Sequence, residues 1–347
     1  MEVAMLGWGF PPDVTGGLDT HVGELFEGLR AEGVEIKLVL PSEHAPEREG
    51  IVPVETGRGD ILTRVNRMTD AFVDAAAEAD VIHTHDWFGY GPGSQAAAAH
   101  DVPWLTSFHS LSSDRNVDPP EREVETERRL ARRADHSIAV SKLLAGRVSE
   151  QYGADPDVVY NGFSTPTRTG VDVRERHDVG DNDPMLLFVG RHTHQKGIDH
   201  LFYALEHLQQ EDLTLVVGGT GHLTPRLERF AELLGVRDKL VFAGYVSDEE
   251  LGDYYAAADL FVSPSLSEPF GITITEALMV GTRVVATESG VGEILSPDAV
   301  IEVDVDSRSL AAGVTEGLTT PGDPEFEPRP WSAVAAETLD IYEKTAS

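Results

Sequence analysis

Residues 263–287 read SPSLSEPFGITITEALMVGTRVVAT, and this stretch decides the fold. A short apolar run ends near Ser263. Pro264, Pro269 and Gly271 forbid regular structure just after it. A helix is expected from Ile272 to Met279, with Gly281 as its stop, and RVVAT follows as the next strand. Strand, irregular loop, short helix, strand is one unit of a parallel α/β sheet. Glu268 falls on the loop beside the helix mouth, and Glu276 lies about one turn inside the helix. The first backbone N–H groups of any helix lack intrahelical partners, so donors near Phe270, Gly271 and Ile272 face outward. Two carboxylates flanking such a mouth suit a ligand that carries both diols and an anionic group. The competing reading has Glu276 supporting the helix and Glu268 in solvent.

The same alternation extends through the chain. In the first half VAML, IKLVL, VIHTH, PWLTSF and HSIAV read as strands. Helices are expected at Leu18–Ala31, Val65–Glu78, Glu121–Arg133 and Ser141–Gln151. In the second half the strands are MLLFVG, LTLVVGG, LVFAG, DLFVS and RVVAT. The helices there are Ile198–Leu208, Thr224–Leu234, Asp248–Ala258 and the one already described. The pattern predicts two α/β domains with mostly parallel sheets, whose ligands bind beyond the carboxyl ends of the strands. The first domain is expected over 1–165, a polar linker over 166–182 and the second domain over 183–320. A closing segment with a final helix, Trp331–Lys344, fills 321–347.

Composition narrows the function. The chain has 347 residues, enough for two cores. No run approaches the length of a spanning helix. MEVAMLGWGF lacks the basic start and cleavage pattern of a signal peptide and reads as a first strand. There are no cysteines, so disulfides, thiolate metal sites and cysteine nucleophiles are excluded, and a cytoplasmic location fits. Acidic residues number 60 against 27 basic ones, a net charge of −33. Such a field opposes nucleic-acid binding and suits a surface adapted to high salt.

Against that background the cations near strand ends stand out. VGRHTHQKG, residues 189–197, places Arg191 and Lys196 after a strand, where a guanidinium fork and an ammonium could meet a diphosphate. VVGGTG (216–221) and TGG (15–17) are glycine turns after strands, and each is equally readable as a tight turn. In HTHDW (83–87) two histidines stand at alternating positions and an aspartate follows. The spacing supplies no further metal ligand, so a polar strand end is favoured over a metal site. His21, one helical turn past TGG, reads either as a packed helix residue or as lining the acceptor side. EREVETERRLARR (121–133) is the dense arginine cluster. Glu125 can pair with Arg128 and Arg129 on a helix, and the alternative is a basic face toward an anionic acceptor or a lipid headgroup.

Glu268-x7-Glu276, set in SEPFGITITEALMVGTRVVAT, resembles the signature of the family 4 retaining glycosyltransferases. PPDVTGGLDTHVGELFEGLRAEGVEI, VIHTHDW, SFHS, SIAVSK, VVYNG, VGRHTHQKG, VVGGTG, SGVGEI and WSAVAAETLDIYEK resemble further family segments in the family's order. Ser289 stands where the family pattern has glycine. The resemblance implies a GT-B fold, two Rossmann-like domains facing across a cleft, with the closing helix crossing back to the first domain. It implies a retaining transferase that moves a hexose from a nucleotide-diphosphate sugar to a hydroxyl acceptor: a glycan, a lipid-linked sugar or a small polyol. By the same resemblance Arg191 and Lys196 bind the diphosphate, Glu276 the ribose and Glu268 the donor sugar. Phe270, Gly271 and Ile272 supply backbone contacts, Gly16 and Gly17 approach the donor, and His109 contacts its sugar. Asn161 is a lesser candidate for the donor site. No cofactor or metal is expected. The alternatives are a nucleotide-sugar-binding protein without turnover and a sugar-nucleotide epimerase of the same fold.

Overall fold

The computed structural model describes residues 1–11, 16–208 and 212–347. Thr15 of the TGG turn lies outside the described residues. The chain divides into two compact units. Unit 1 comprises 1–113, 118–162 and 329–347, and unit 2 comprises 114–117 and 163–328.

Unit 1 holds a seven-stranded sheet: β1 (Glu2–Leu6), β2 (Glu35–Pro41), β3 (Ile51–Val54), β4 (Val81–His85), β5 (Trp104–Phe108), β6 (His136–Ala139) and β7 (Asp157–Val158). Their order is β3-β2-β1-β4-β5-β6-β7 and every pairing is parallel. The helices are α1 (Gly17–Ala31), α2 (Ile61–Ala75), α3 (Tyr90–His100), α4 (Ser112–Arg115), whose last two residues are counted with unit 2, α5 (Glu121–Arg133) and α6 (Lys142–Tyr152). Parallel strands covered on both faces must be apolar throughout. Val3, Met5, Leu38, Leu40, Val81 and Leu105 accordingly join one core with Val22, Leu25, Phe26 and Leu29 of α1.

The segment expected as a linker, 166–182, is instead fastened to unit 2. It carries the single turn α7 (Val173–Arg176). Asp253 accepts from Thr169 N at 2.7 Å, Thr169 Oγ1 at 2.8 Å and Gly170 N at 3.1 Å. Burial opposes charge on Asp253, and these hydrogen bonds outweigh it, holding the carboxyl down at about 2. Arg174 donates to the carbonyls of Ala257, Gly180 and Asp183 and to Asp259 Oδ2. Composition suggested a free connector; a buried aspartate 83 positions beyond Gly170 makes it part of a domain.

Unit 2 repeats the architecture with β8 (Met185–Val189), β9 (Thr214–Gly218), β10 (Leu240–Gly244), β11 (Leu260–Ser263), β12 (Val284–Ala286) and β13 (Val300–Glu302). The order is β10-β9-β8-β11-β12-β13, again parallel. Its helices are α8 (Ile198–Leu205), α9 (Thr224–Leu234), α10 (Asp248–Ala257), α11 (Ile272–Met279) and α12 (Ser307–Thr319). The last helix, α13 (Trp331–Thr345), belongs to unit 1. There Val334, Ala335, Ile341 and Tyr342 enter the core with α1. Gly28 on α1 permits this approach, since a Cβ there would sit 2.8 Å from that of Ala335.

In each sheet the strand order reverses beside the first strand, between β1 and β4 and between β8 and β11. Crevices at such reversals are where parallel sheets bind ligands. The residues beyond those strand ends therefore frame the functional question.

Candidate functional site

In unit 2 the loops after β8 and β11 meet. The β8 loop closes with a 3-10 turn, His194–Lys196, and Gly197 at φ +58°. A Cβ on Gly197 would lie 2.1 Å from the Pro264 carbonyl oxygen, so only glycine lets the loops touch. Leu266 N donates to Gln195 O at 2.8 Å, and Gln195 Nε2 to Ser267 O at 3.1 Å. This seam brings Lys196 Nζ to 2.7 Å from Glu268 Oε2, and Ser265 Oγ donates to the same oxygen at 2.9 Å. Glu268 is 7% exposed. Gly197→Ala is expected to cost about 2–4 kcal/mol, from the left-handed backbone and the clash. Urea unfolding checks this, and an unchanged midpoint would contradict it.

Sequence reading gave Lys196 and Glu268 separate duties; the structure joins them as an ion pair. Arg191, on the same loop, is exposed. Past Glu268 the chain is pinned by Gly290 N to Glu268 O at 3.0 Å and Val291 N to Phe270 O at 2.8 Å. Phe270 is buried, Gly271 caps α11 at φ +109°, and Ile272 opens the helix. Glu276 is half-buried on α11 and accepts from Tyr255 OH at 2.9 Å. Burial pushes its carboxyl up to about 7; the tyrosine hydrogen bond pulls the other way and Asp248 adds to the rise. Tyr255, wholly buried on α10, has no distinguishing signal in the sequence.

The glycines of VVGGTG have a packing duty. A Cβ on Gly219 would meet Gly190 O at 2.0 Å, and one on Gly221 would meet His192 O at 2.4 Å. They seat the β9 turn against the β8 turn.

In unit 1 the corresponding strand ends carry histidines. His83 and His85 end β4, His109 follows β5, and His21 lies on α1. His83 is satisfied on both nitrogens, 2.6 Å from Tyr342 OH and 2.8 Å from Ser107 Oγ. His85 Nδ1 is 3.1 Å from His109 Nε2. His21 Nδ1 is 2.7 Å from Asn161 Oδ1; an amide oxygen only accepts, so Nδ1 carries the proton and Nε2 a lone pair. The rings crowd together, with 4.4 Å between the centroids of His21 and His109. Burial, and for His83, His85 and His109 neighbouring imidazoles as well, push all four well below the ordinary range, His21 to about 4. They are neutral at pH 7.

Asp86, just past β4, has φ +52° and ψ −179°, a region populated essentially by glycine. Its carboxylate accepts from His109 N at 2.8 Å. Strained backbone at the histidine cluster is the residue-level signal that the HTHDW spacing hid. Gly16 is the N-cap of α1, with extended backbone, and Gly17 its first residue, which is exposed. Asn161 is placed on His21. On α5, Glu125 accepts from Arg128 at 2.6 Å and Arg129 at 3.0 Å, while Arg122, Arg132 and Arg133 are exposed.

Comparison with known proteins fits this geometry. A profile of the glycosyl transferases group 1 matches residues 172–326, and one of glycosyltransferase family 4 matches 15–167. An uncharacterised glycosyltransferase of Methanocaldococcus jannaschii is 31% identical, covering 99% of this chain and 98% of its own. Among solved structures, a sucrose-phosphate synthase from Thermosynechococcus elongatus superposes with a TM-score of 0.79 at 22% identity. It covers 100% of this chain and 96% of that one. HepE of Anabaena, in complex with UDP and glucose, has a TM-score of 0.74 at 19% identity, with coverage of 100% and 96%. With two Rossmann-like parallel sheets and relatives matched along its length, the chain belongs to the family 4 (group 1) glycosyltransferases and is a glycosyltransferase of GT-B fold.

Proposed function

We propose that the protein transfers a hexose from a nucleotide-diphosphate sugar to a hydroxyl acceptor, with retention at the anomeric carbon and without a metal ion. The observation that carries this reading is the Lys196–Glu268 pair at the β8/β11 reversal, with Glu276 on the helix that follows. The ammonium of Lys196 and the guanidinium of Arg191 would take the diphosphate oxygens and stabilise the charge that develops as they leave. The α11 mouth, at Phe270, Gly271 and Ile272, adds backbone donors. Glu276 would hold the ribose diol, and Glu268 the sugar hydroxyls. HepE, bound to UDP and glucose, supports a nucleotide and a hexose as the ligand class. In unit 1, His109 would offer a neutral imidazole to a sugar hydroxyl, and Gly16, Gly17 and Asn161 are assigned supporting contacts.

Retention follows if the acceptor oxygen attacks on the face the diphosphate leaves, its proton passing to the departing phosphate. A thermal-shift panel of UDP, GDP and ADP sugars in molar potassium chloride tests the donor class; no stabilisation by any of them would sink the reading. Proton NMR of the first-formed product reports the anomer, and inversion would overturn retention. Transfer that persists after exhaustive chelation supports metal independence. A cytoplasmic location in a high-salt organism completes the proposal. Glu125 takes up Arg128 and Arg129 of the α5 cluster, and vesicle sedimentation decides whether Arg122, Arg132 and Arg133 contact an anionic bilayer. Among the described residues no helix is long and apolar enough to cross a membrane.

A further inference from the structure

We infer that His21, His85 and His109 form a binding site for a divalent transition-metal ion of the zinc class, which shares His109 with the donor-sugar contact proposed above. The three rings each offer one nitrogen, and these nitrogens lie within 4.8 Å of one another. Adjacent ligands on a tetrahedral ion with metal–nitrogen bonds of about 2.0–2.1 Å sit about 3.4 Å apart. His85 Nδ1 and His109 Nε2 are already 3.1 Å apart, so an ion can replace the hydrogen bond between them with little movement.

A further observation points to a ligand. His21 Nε2 is a buried side-chain atom without a hydrogen-bond partner, on a residue 3% exposed. A buried imidazole nitrogen with nothing to bond is costly in a folded chain, and a metal ion removes that cost. Asn161 then acts as an outer support. By accepting the Nδ1 proton of His21 it fixes the tautomer and turns the Nε2 lone pair inward, the arrangement seen behind metal-bound histidines. His83 is excluded, because Tyr342 and Ser107 use both of its nitrogens.

The donor set narrows the ion. Three neutral imidazoles without a carboxylate favour zinc, cobalt, nickel or copper over magnesium or calcium, which take oxygen ligands. His109 is the least buried of the three, which gives an entry path and an open fourth position for water. A chain of net charge −33 also concentrates divalent cations around itself.

The test is equilibrium dialysis of the full, chelator-treated chain against Zn2+, with Co2+ as a spectroscopic substitute. One tightly held ion per chain is expected, and the visible band of a low-coordinate nitrogen site with cobalt. His21→Ala and His85→Ala should each weaken that ion by at least about tenfold. The chain has 13 histidines, so looser surface binding is separated by its insensitivity to these changes. Failure of the wild type to hold zinc, or equal affinity in both variants, would overturn the site. Should a variant not fold, X-ray absorption on the zinc-loaded wild type decides: three imidazoles support the inference, and fewer refute it.

Discussion

Lys196→Met should lower transfer by about 10²–10³-fold, the loss typical when one donor to a developing anion is removed. The same change strands Glu268, which is 7% exposed and keeps only Ser265 Oγ, at 2.9 Å, on its Oε2 atom. Breaking a buried pair costs about 3–5 kcal/mol. The Lys196 side chain is 19% exposed, so water recovers part of this and about 2–3 kcal/mol is expected. Adding Glu268→Gln removes the stranded charge, and the double variant should regain most of the lost stability while transfer stays low. Urea midpoints and initial rates on the four proteins of the cycle measure both quantities. A double variant that recovers transfer together with stability would show that the pair is scaffolding and not part of the donor site.

Glu276→Gln should make unit 2 more stable and the enzyme worse. The carboxyl stands at about 7 in the fold, against an ordinary 4.5. Between those values the folded chain holds a proton that the unfolded chain has released, so stability falls as pH rises from 4.5 and the penalty is complete above 7. The shift corresponds to at most about 3.4 kcal/mol at 1.36 kcal/mol per pH unit. Half-burial reduces it to about 1–3 kcal/mol. Glutamine cannot ionise, so the variant should exceed the wild type by that amount at pH 8 and match it near pH 4.5. Nucleotide affinity should fall about 10–100-fold at pH 8, because the ribose diol loses charge-assisted acceptors. Denaturant titrations and calorimetry at the two pH values check both halves. A variant that is no more stable at pH 8 would mean that the carboxylate is well solvated.

The fold was legible wherever periodicity and punctuation agreed. Helices α5 and α9 begin and end at the residues expected, and α11 lies between its two glycines. Helix α2 starts a turn earlier than its apolar pattern, because Asp60 caps it by accepting from Thr63 N. Besides the single turns α4 and α7, two longer helices escaped. In α3, Pro92 and two glycines mask a helix; a Cβ on Gly93 would lie 2.5 Å from the Trp104 ring. In α12, Gly313 and Gly317 look like loop but make room for Val303 and Leu260. Strands β3, β7 and β13 were missed because edge strands need no continuous apolar run, and β3 even admits Pro53.

The site divides similarly. Glu268, Glu276, Arg191 and Lys196 could be proposed because turns and helix ends placed them locally. That Lys196 and Glu268 bond across 72 positions, or His21 and Asn161 across 140, depends on which strands lie side by side. Tyr255 and the part Asp86 plays were hidden for related reasons. One acts from an adjacent helix, and the other through a backbone torsion that composition does not encode.

The return of α13 to unit 1 has a consequence for biosynthesis. Residues 163–328 leave the ribosome as an uninterrupted block and have all their strands at hand. The earlier-born unit must wait: Val334, Ala335, Ile341 and Tyr342, part of its interior, are translated after that block. During that delay the α1 surface that they cover is bare, open to chaperones or to other nascent chains. The later-made half of this enzyme can therefore mature first, and emergence of α13 times completion of the half made before it.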